Sequence, residues 1–290
     1  MTTRLVVTAP VATVWTGPDA PRAVDGPAVA DEPDMAAWTE AMPTDVRLGL
    51  HGRVVTQALA GEPAELVAES GPWAQVLLPW QPGSDPGGYP GWVRTAHLGQ
   101  VRPESGSLVV VTAAPATPAV TSNGDIELSY ATVLRRVPVS GSPPDRVEVR
   151  LPDGRTAHVS AAAVQPWPRP LTPAAALDSA RDHLGLPYLW GGTSGRGLDC
   201  SGLVHLVLRT YGVTVPRDAC DQQDALTPVP PGSARPGDVY FFARPGRRAH
   251  HVGWVSTSGM LHATEGSAVE DVPLTTERTA TLVAAARPVG

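Results

Sequence analysis

The sequence contains no lysine, so all 22 of its basic residues are arginine, and it has only two cysteines and two phenylalanines. Two cysteines are too few for a disulfide framework, and unpaired thiols are typical of proteins in a reducing compartment. No apolar run approaches the roughly 18–20 residues that are needed to cross a bilayer. The first fifteen residues lack a charged segment followed by an apolar core, so they show no export signal. These absences predict a cytoplasmic protein.

The chain carries a net charge of −6 at pH 7, which argues against a general affinity for nucleic acid or for an anionic membrane. Its 290 residues are enough for two or three domains, and a hydrophobic fraction of 42% is sufficient to bury a core. The 32 prolines and 29 glycines make up about a fifth of the sequence. That share indicates many turns and short strands rather than disorder.

Residues 1–100 mix short β-rich runs with turn residues. The segment 53–80 alternates between apolar and polar positions and is broken by Gly-Glu-Pro and Gly-Pro turns, which predicts three strands. The segment 31–42 has an acidic start and apolar residues at helical spacing, which predicts a short helix. We therefore predict a small β-barrel with a helical insertion. Residues 101–167 repeat the strand-and-turn pattern and predict a second small barrel.

The pattern changes in residues 168–290, after a stiff Pro-rich linker. Residues 171–185 predict a helix with the cap Thr172, a proline in its first turn and Gly185 at its end. A glycine-rich loop and a second helix follow, and then four strand-like runs. Helices first and strands after, within one unit, predict an α+β domain.

One of the two cysteines lies where the second helix is predicted to begin. Asp199 suits an N-cap, which places Cys200 in the first turn of a helix that Gly212 ends. The positive end of a helix favours a thiolate over a thiol, and a thiolate is a nucleophile. The position therefore suits covalent catalysis. The alternative is a small cysteine packed in the core, which is common for this residue type.

Two of the eight histidines are well placed to serve such a nucleophile. His251 and His262 lie on consecutive predicted strands joined by a tight STSG turn, so antiparallel pairing brings them together on one face. A thiolate nucleophile needs an imidazole that accepts its proton and a further polar group that orients the imidazole. His250 points to the opposite face of the strand. The alternatives are structural histidines or a metal site, but Cys200 and two histidines provide only three ligands without close spacing.

Five short motifs in a fixed order extend this hypothesis over residues 171–290. They are YLWGG (188–192), DCSGLV (199–204), RPGD (235–238), HHVGW (250–254) and LHAT (261–264). This order resembles the NlpC family of cell-wall cysteine peptidases, which share a reduced papain-like fold. The resemblance implies that Cys200 is the nucleophile, His251 the general base and His262 the residue that orients the base. It also implies that Tyr188 helps the Cys200 backbone N–H to stabilise the oxyanion.

The two predicted barrels resemble the bacterial SH3-type domains of one NlpC subgroup, the γ-D-glutamyl-L-diamino acid endopeptidases. Those enzymes trim wall peptides that have a free N-terminal L-Ala, and their first barrel closes the cleft at the peptide amine. TQALAGEP (56–63) and GGYPGWV (87–93) resemble motifs of that barrel. The match implies that Glu62 and Tyr89 hold the amine, with Glu62 as the counter-charge.

The resemblance also implies that Asp199 and Ser201, on either side of the nucleophile, contact the substrate. The segment VPRDACDQQ (215–223) resembles a family stretch in which a serine contacts the substrate, but this chain has Ala219 at that position. The substitution removes a hydroxyl donor from the expected cleft.

The function implied by the resemblance is hydrolysis of the γ-D-glutamyl-diaminopimelate bond of small cell-wall peptides, in muropeptide recycling. No metal, cofactor, nucleic acid or membrane insertion is expected. Three alternatives stay open: an exported peptidoglycan hydrolase or amidase of the same fold, a non-catalytic wall-peptide binding protein, and acyl transfer to an amine in place of water. The sequence does not fix the diamino acid or the role of the second barrel.

Overall fold

The computed structural model describes residues 3–102, 105–138 and 143–288. The first 100 residues form a seven-stranded antiparallel sheet with the spatial order β3-β2-β6-β5-β4-β1-β7. Its strands are β1 (Thr3–Val7), β2 (Val11–Trp15), β3 (Val54–Leu59), β4 (Pro63–Ser70), β5 (Trp73–Leu78), β6 (Tyr89–Arg94) and β7 (Leu98–Gln100). Alternate side chains, among them Val14, Ala58 and Val76, point inward and form a small core. The three strands predicted within 53–80 are confirmed.

Three short helices lie between β2 and β3. They are α1 (Gly26–Val29), α2 (Met35–Glu40) and α3 (Thr44–Leu48). The predicted helical insertion is confirmed, although α2 is shorter than the predicted segment 31–42. Asp34 caps it by accepting a hydrogen bond from the Ala37 N–H, so the helix begins after the acidic start of that segment. Trp38 of α2 is fully buried, which fastens the insertion to the body of the protein.

A second seven-stranded antiparallel sheet follows, with the spatial order β10-β9-β13-β12-β11-β8-β14. Its strands are β8 (Leu108–Val111), β9 (Ala116–Thr121), β10 (Gly124–Ser129), β11 (Val133–Arg136), β12 (Arg146–Arg150), β13 (Thr156–Ser160) and β14 (Val164–Pro166). It has its own apolar core, which includes Leu128, Val149 and Val159. The two sheets fall within the predicted segments 1–100 and 101–167, and the status of these segments as separate domains stays a prediction.

The remaining residues combine helices with a six-stranded antiparallel sheet of order β17-β22-β18-β19-β20-β21. The elements are α4 (Pro173–Arg181), the hairpin strands β15 (Thr193–Ser194) and β16 (Gly197–Leu198), α5 (Cys200–Thr210), α6 (Ala219–Ala225), β17 (Thr227–Val229), β18 (Val239–Phe242), β19 (His251–Val255), β20 (Met260–Ala263), β21 (Val269–Val272), α7 (Thr276–Ala280) and β22 (Leu282–Arg287). This is the α+β arrangement that the sequence predicts for 168–290. The strands β17 and β21 were not predicted.

Helix α4 ends earlier than predicted. Its last helical residue is Arg181, and the backbone N–H groups of His183 and Leu184 donate to carbonyls only three residues back. The tighter turn moves Leu184 to the surface, where half of its area is exposed, and directs His183 into the interior. The prediction of a helix over residues 171–185 therefore extended it too far, and Leu184 lies outside the helix. The chain reverses at Gly185, whose positive φ of 82° favours glycine.

Helix α5 lies at the centre of the molecule, and all eleven of its residues are buried. It packs on β19 and β20 of the six-stranded sheet and also contacts the hairpin strand β15. The large core that contains α5 also includes Trp15 and Trp38 of the first unit and Tyr130 of the second. All three parts of the chain thus surround one helix. Among the described residues, no helix has both the length and the apolar character that a membrane crossing requires.

Candidate active site

Cys200 occupies the first position of α5, as the sequence predicts. The Asp199 backbone is extended, and its side chain accepts a hydrogen bond from the Gly202 N–H at 2.7 Å, which caps the helix. Cys200 is a free thiol with 7% of its area exposed. Its position at the positive end of a helix is typical of a nucleophilic cysteine.

His251 and His262 lie next to each other, as predicted. Strands β19 and β20 pair antiparallel, and the Nε2 of His251 lies 2.9 Å from the Nδ1 of His262. Both ring nitrogens of His262 are 3.2 Å from the Thr264 hydroxyl, which donates to Glu270 at 2.5 Å. The Thr264 hydroxyl donates its hydrogen to Glu270, so the Thr264 oxygen is free to accept from the Nε2–H of His262. The Nδ1 of His262 is then unprotonated and accepts from the Nε2–H of His251.

This chain of hydrogen bonds determines the tautomer of the catalytic base. With its Nε2–H donated to His262, His251 has an unprotonated Nδ1 that is available to accept a proton. Thr264 and Glu270 extend the arrangement beyond the two predicted histidines. Neither was identified from the sequence, although Thr264 belongs to the LHAT motif.

The Cys200 sulfur lies against the strand that carries His251. The backbone N–H of Val252, the residue after His251, hydrogen bonds to the sulfur and lowers the pKa of the thiol, as does that of Ser201. Burial is the larger effect, and together with the Asp199 carboxylate it raises the pKa of Cys200 to about 12. Burial thus opposes the preference for a thiolate that the helix end provides. The buried sulfur holds its proton until a base removes it.

Both histidines are neutral at pH 7. Burial is the main cause that lowers the pKa of His251 well below its ordinary value, and the neighbouring His262 adds to it. Burial, with the Arg278 charge, lowers the pKa of His262 to about 4. The Cys200 thiol and the His251 imidazole are thus both neutral at rest, which suits transfer of the thiol proton to the imidazole during attack on a carbonyl.

Tyr188 lies beside the nucleophile. Its backbone N–H donates to the Ser267 carbonyl at 2.9 Å, and it bridges to Leu198, two residues before Cys200. Burial, followed by the charges of Asp199 and Cys200, raises the pKa of its phenol. The hydroxyl is therefore protonated at any physiological pH and can donate to an oxyanion.

A buried arginine was missed in the sequence analysis. Arg217, with 1% of its area exposed, donates to both carboxylate oxygens of Asp199, at 3.0 and 2.6 Å, and to the Ser201 hydroxyl at 3.0 Å. The structure thus brings Asp199 and Ser201 together around one guanidinium. Arg217 belongs to the VPRDACDQQ segment that resembles a family stretch, but it was assigned no defined role from the sequence, which did not show its contact with Asp199.

Tyr89 reaches this cluster from the first unit. Its hydroxyl lies 2.9 Å from both carboxylate oxygens of Asp218, the residue after Arg217. Burial is the main cause that raises the pKa of Asp218, and the Arg217 charge opposes it. Asp199, Arg217 and Asp218 together carry one excess negative charge at the edge of the cleft. Ala219 follows as the first, buried residue of α6, so no hydroxyl is present there.

Glu62 does not join this cluster. Its carboxylate is fully buried and pairs with Arg209, near the last turn of α5. The same carboxylate accepts hydrogen bonds from the Leu59 N–H at 2.7 Å and from the Gln81 amide at 3.1 Å. The predicted role of Glu62 as counter-charge for a peptide amine is not met, because its oxygens already have charged and polar partners inside the protein.

Glu62 is instead linked to the active site through other residues. The Gln81 side chain accepts a hydrogen bond from the Thr56 hydroxyl at 2.6 Å, and Thr56 accepts one from the Arg217 Nε at 2.8 Å. A buried chain therefore runs from Arg209 at one end of α5, through Glu62, Gln81 and Thr56 of the first unit, to Arg217 and Asp199 at the other end. We call these six residues the buried polar chain.

Comparison with known proteins agrees with this geometry. Residues 185–287 match the model of the NlpC/P60 family. The chain is 38% identical over 274 residues to the gamma-D-glutamyl-L-lysine dipeptidyl-peptidase of Bacillus subtilis, covering 91% of this chain and 92% of that protein. A protein of the same name from Bacillus cereus is 32% identical over 284 residues, which cover 91% of this chain and 84% of that one.

A solved structure extends the similarity to the whole architecture. The crystal structure of an NlpC/P60 family protein from Bacillus cereus superposes with a TM-score of 0.93, covers 99% of this chain and 100% of that chain, and is 28% identical in sequence. The papain-like fold that the five motifs imply is confirmed. The chain belongs to the NlpC/P60 family and is a cysteine-type peptidase.

Proposed function

We propose that this protein hydrolyses the bond between γ-D-glutamate and the following diamino acid in cell-wall peptides that have a free N-terminal L-Ala. The observation that carries the proposal is the charge cluster next to the nucleophile, in which Arg217 holds Asp199 and Asp218 leaves one excess negative charge. The named activity of the two Bacillus relatives, which match nearly the full chain, supports the same bond.

The proposed mechanism begins with the Cys200 thiol and the His251 imidazole, both neutral. His251 Nδ1 accepts the proton of the Cys200 thiol as the sulfur attacks the γ-carbonyl carbon of D-Glu. The oxyanion accepts hydrogen bonds from the Cys200 backbone N–H and the Tyr188 hydroxyl. The protonated His251 gives its proton to the leaving amine, and the acyl group stays on the sulfur as a thioester. Water, deprotonated by His251, then cleaves the thioester and restores the thiol.

The acyl half of the substrate is expected to lie over the residues that surround Arg217. We propose that Tyr89 and Asp218 receive the L-Ala ammonium, with Asp218 in the counter-charge role first expected of Glu62. An ammonium bound there neutralises the excess negative charge and offsets the free-energy cost of burying the ionised Asp218 carboxylate. Asp199 and Ser201, held by Arg217, contact the dipeptide between the amine and the thioester.

Two broader features belong to the proposal. We propose that the two N-terminal sheets are SH3-type domains, which is supported by their small seven-stranded antiparallel architecture. We also propose that the enzyme acts on free peptides in the cytoplasm, in recycling, because a free L-Ala amine exists only after the peptide has left the glycan. The two free thiols, Cys200 and Cys220, fit a reducing compartment.

The experiment is incubation with L-Ala-γ-D-Glu-L-Lys and with its N-acetylated form under reducing conditions, followed by mass analysis of the products. We expect L-Ala-γ-D-Glu and free lysine from the first peptide and much slower cleavage of the second. Cys200→Ala is expected to abolish turnover, whereas Cys220→Ala is expected to retain it. An intact tripeptide with the wild-type enzyme would contradict the proposal, and release of products from purified sacculi would favour an exported wall hydrolase.

A further inference from the structure

A histidine–glutamate pair lies near Tyr188 and has no part in the chemistry described above. His51, from the segment between α3 and β3, places its Nε2 at 3.2 Å from a carboxylate oxygen of Glu265 in the segment that follows β20. The imidazole of His51 packs against Trp190 with 3.2 Å between ring centroids and an angle of 33° between the ring planes. Trp190 is itself held by a hydrogen bond from its Nε1 to the Val54 carbonyl. The first unit and the catalytic unit therefore meet at this pair.

The segments that carry the pair also contact Tyr188. The Tyr188 backbone N–H donates to the carbonyl of Ser267, two residues after Glu265, and Arg47 of α3 donates to the Tyr188 carbonyl at 3.5 Å. The charge of Glu265 adds to the causes that raise the pKa of the Tyr188 phenol. It also opposes the lowering of the pKa of His250, the residue before the catalytic base, which burial mainly causes. The Glu265 charge thus acts on Tyr188 and on His250, the residue next to the catalytic base.

Exposure distinguishes this pair from the residues that do the chemistry. The side chains of Glu265 and His51 are 54% and 51% exposed, whereas Cys200 and His251 are less than one-tenth exposed. A peptide bound at a buried sulfur must direct its leaving half toward such an open, solvated edge. The Glu265 carboxylate stands at such an exposed edge, and its charge reaches the Tyr188 phenol.

We propose that Glu265, oriented by His51, binds the side-chain ammonium of the amino acid that the cleavage releases. This inference rests on the proposed function, because it assumes that a diamino acid follows D-Glu. The α-nitrogen of that residue is the leaving group, so its distal nitrogen is the one cation that the leaving half presents. The Nε2 of His51 holds one carboxylate oxygen of Glu265 and leaves the other to accept from the ammonium.

The L-Ala ammonium has a separate partner. Asp218 and Tyr89 are fixed through Arg217 to Asp199, on the side of Cys200 that holds the acyl half. Glu265 is fixed through His51 and Trp190 on the Tyr188 side. The substrate has two ammonium groups, and each has its own carboxylate acceptor. Asp218 accepts from the L-Ala ammonium, and Glu265 accepts from the side-chain ammonium of the diamino acid.

The test compares kcat/KM for L-Ala-γ-D-Glu-L-Lys with that for the same peptide ending in L-norleucine, which lacks the distal nitrogen but keeps the chain. For the wild type we expect the lysine peptide to be preferred by roughly twofold to fivefold, the range expected for an exposed charge pair. Glu265→Gln is expected to remove most of that preference, and to lower kcat/KM for the meso-diaminopimelate peptide, which bears the same ammonium.

Glu277→Gln, at an exposed glutamate of α7, is the matched control and is expected to keep the wild-type preference. If the wild type cleaves the lysine and norleucine peptides equally well, or if Glu265→Gln keeps the preference, the inference is overturned while the proposed function stands. If the wild type cleaves none of the peptides, the proposed function itself fails.

Discussion

The guanidinium of Arg217 binds both carboxylate oxygens of Asp199, the residue that caps the catalytic helix and precedes the nucleophile. The third nitrogen of Arg217 is held by Thr56 of the first unit. Through Gln81 and Glu62 the buried polar chain continues to Arg209, at the other end of the same helix. The first unit thus holds the catalytic helix at both of its ends.

Thr56→Val is expected to weaken substrate binding, although Thr56 lies outside the proposed chemistry. The valine keeps the shape but leaves the Arg217 Nε without an acceptor in a buried position, at a cost of about 1–3 kcal/mol. Arg217 then orients Asp199 and Asp218 less well. Steady-state kinetics should show kcat/KM for the tripeptide reduced about tenfold, mostly through KM, with a smaller preference for the free over the acetylated amine.

Thr56→Ser is the matched variant, because it keeps the hydroxyl and removes only a methyl group. Its amine preference and KM should stay close to those of the wild type. Equal kinetic behaviour of the valine and serine variants would contradict the assignment of Thr56 as a positioning residue.

Glu62→Gln is expected to reduce stability rather than amine recognition. Removing one charge from the buried Glu62–Arg209 pair leaves an uncompensated guanidinium and should lower the free energy of unfolding by about 3 kcal/mol. Urea denaturation measures this loss, and Glu69→Gln, on an exposed part of β4, is the control. A Glu62→Gln protein of wild-type stability that no longer distinguishes free from acetylated peptide would restore the amine-binding role.

The sequence predicts those parts of the site that depend on neighbouring residues. The cap at Asp199, the start of α5 at Cys200 and the approach of His251 to His262 all follow from local signals of helix and strand formation. Glu62 was assigned incorrectly because its partner Arg209 lies 147 residues away, and no local pattern shows such a contact. Thr56 was given no role for the same reason, because its partner Arg217 lies 161 residues away.

Burial is the second property that the sequence does not show. The helix position of Cys200 predicts a thiolate, but the extent to which the sulfur is enclosed depends on β19 and on the packing of all three units. Likewise, the end of α4 was misplaced because the turn at His183 and Leu184 is set by packing against the second unit rather than by the glycine that follows. Helix caps and strand alternation do not contain that information.

Alkylation of Cys200 is expected to be slow at pH 7 and to accelerate with pH. Because burial raises the pKa of the thiol to about 12, the thiolate fraction should increase about tenfold per pH unit over the range 7–10. Iodoacetamide labelling in a Cys220→Ala background, followed by mass spectrometry, measures the rate. Fast labelling that does not change between pH 5 and pH 8 would indicate a preformed thiolate–imidazolium pair instead.

His183 is expected to make the protein sensitive to acid. Neither of its ring nitrogens has a hydrogen-bond partner among the described residues, its ring lies edge-on to Tyr130 of the second unit at 4.5 Å, and burial lowers its pKa to about 4. The unfolded chain binds a proton near the ordinary value of about 6.5, so stability is present above that pH and is lost as the pH falls toward 4.

The measurement is urea denaturation of the wild type and His183→Leu at pH 7 and pH 4.5. The wild type should lose about 2–3 kcal/mol more than the variant between the two pH values, because leucine cannot take up a proton there. An equal loss in both proteins would show that His183 does not control the acid response.

The central claim is that Cys200 forms a thioester with the L-Ala-γ-D-Glu half of the substrate after giving its proton to His251. The most direct measurement is rapid acid quenching during turnover, followed by intact-protein and peptide mass spectrometry. We predict an L-Ala-γ-D-Glu adduct on the peptide that contains Cys200, unchanged in Cys220→Ala and absent in both Cys200→Ala and His251→Ala. Hydrolysis of the tripeptide by Cys200→Ala, or an adduct located on any other residue, would contradict the account.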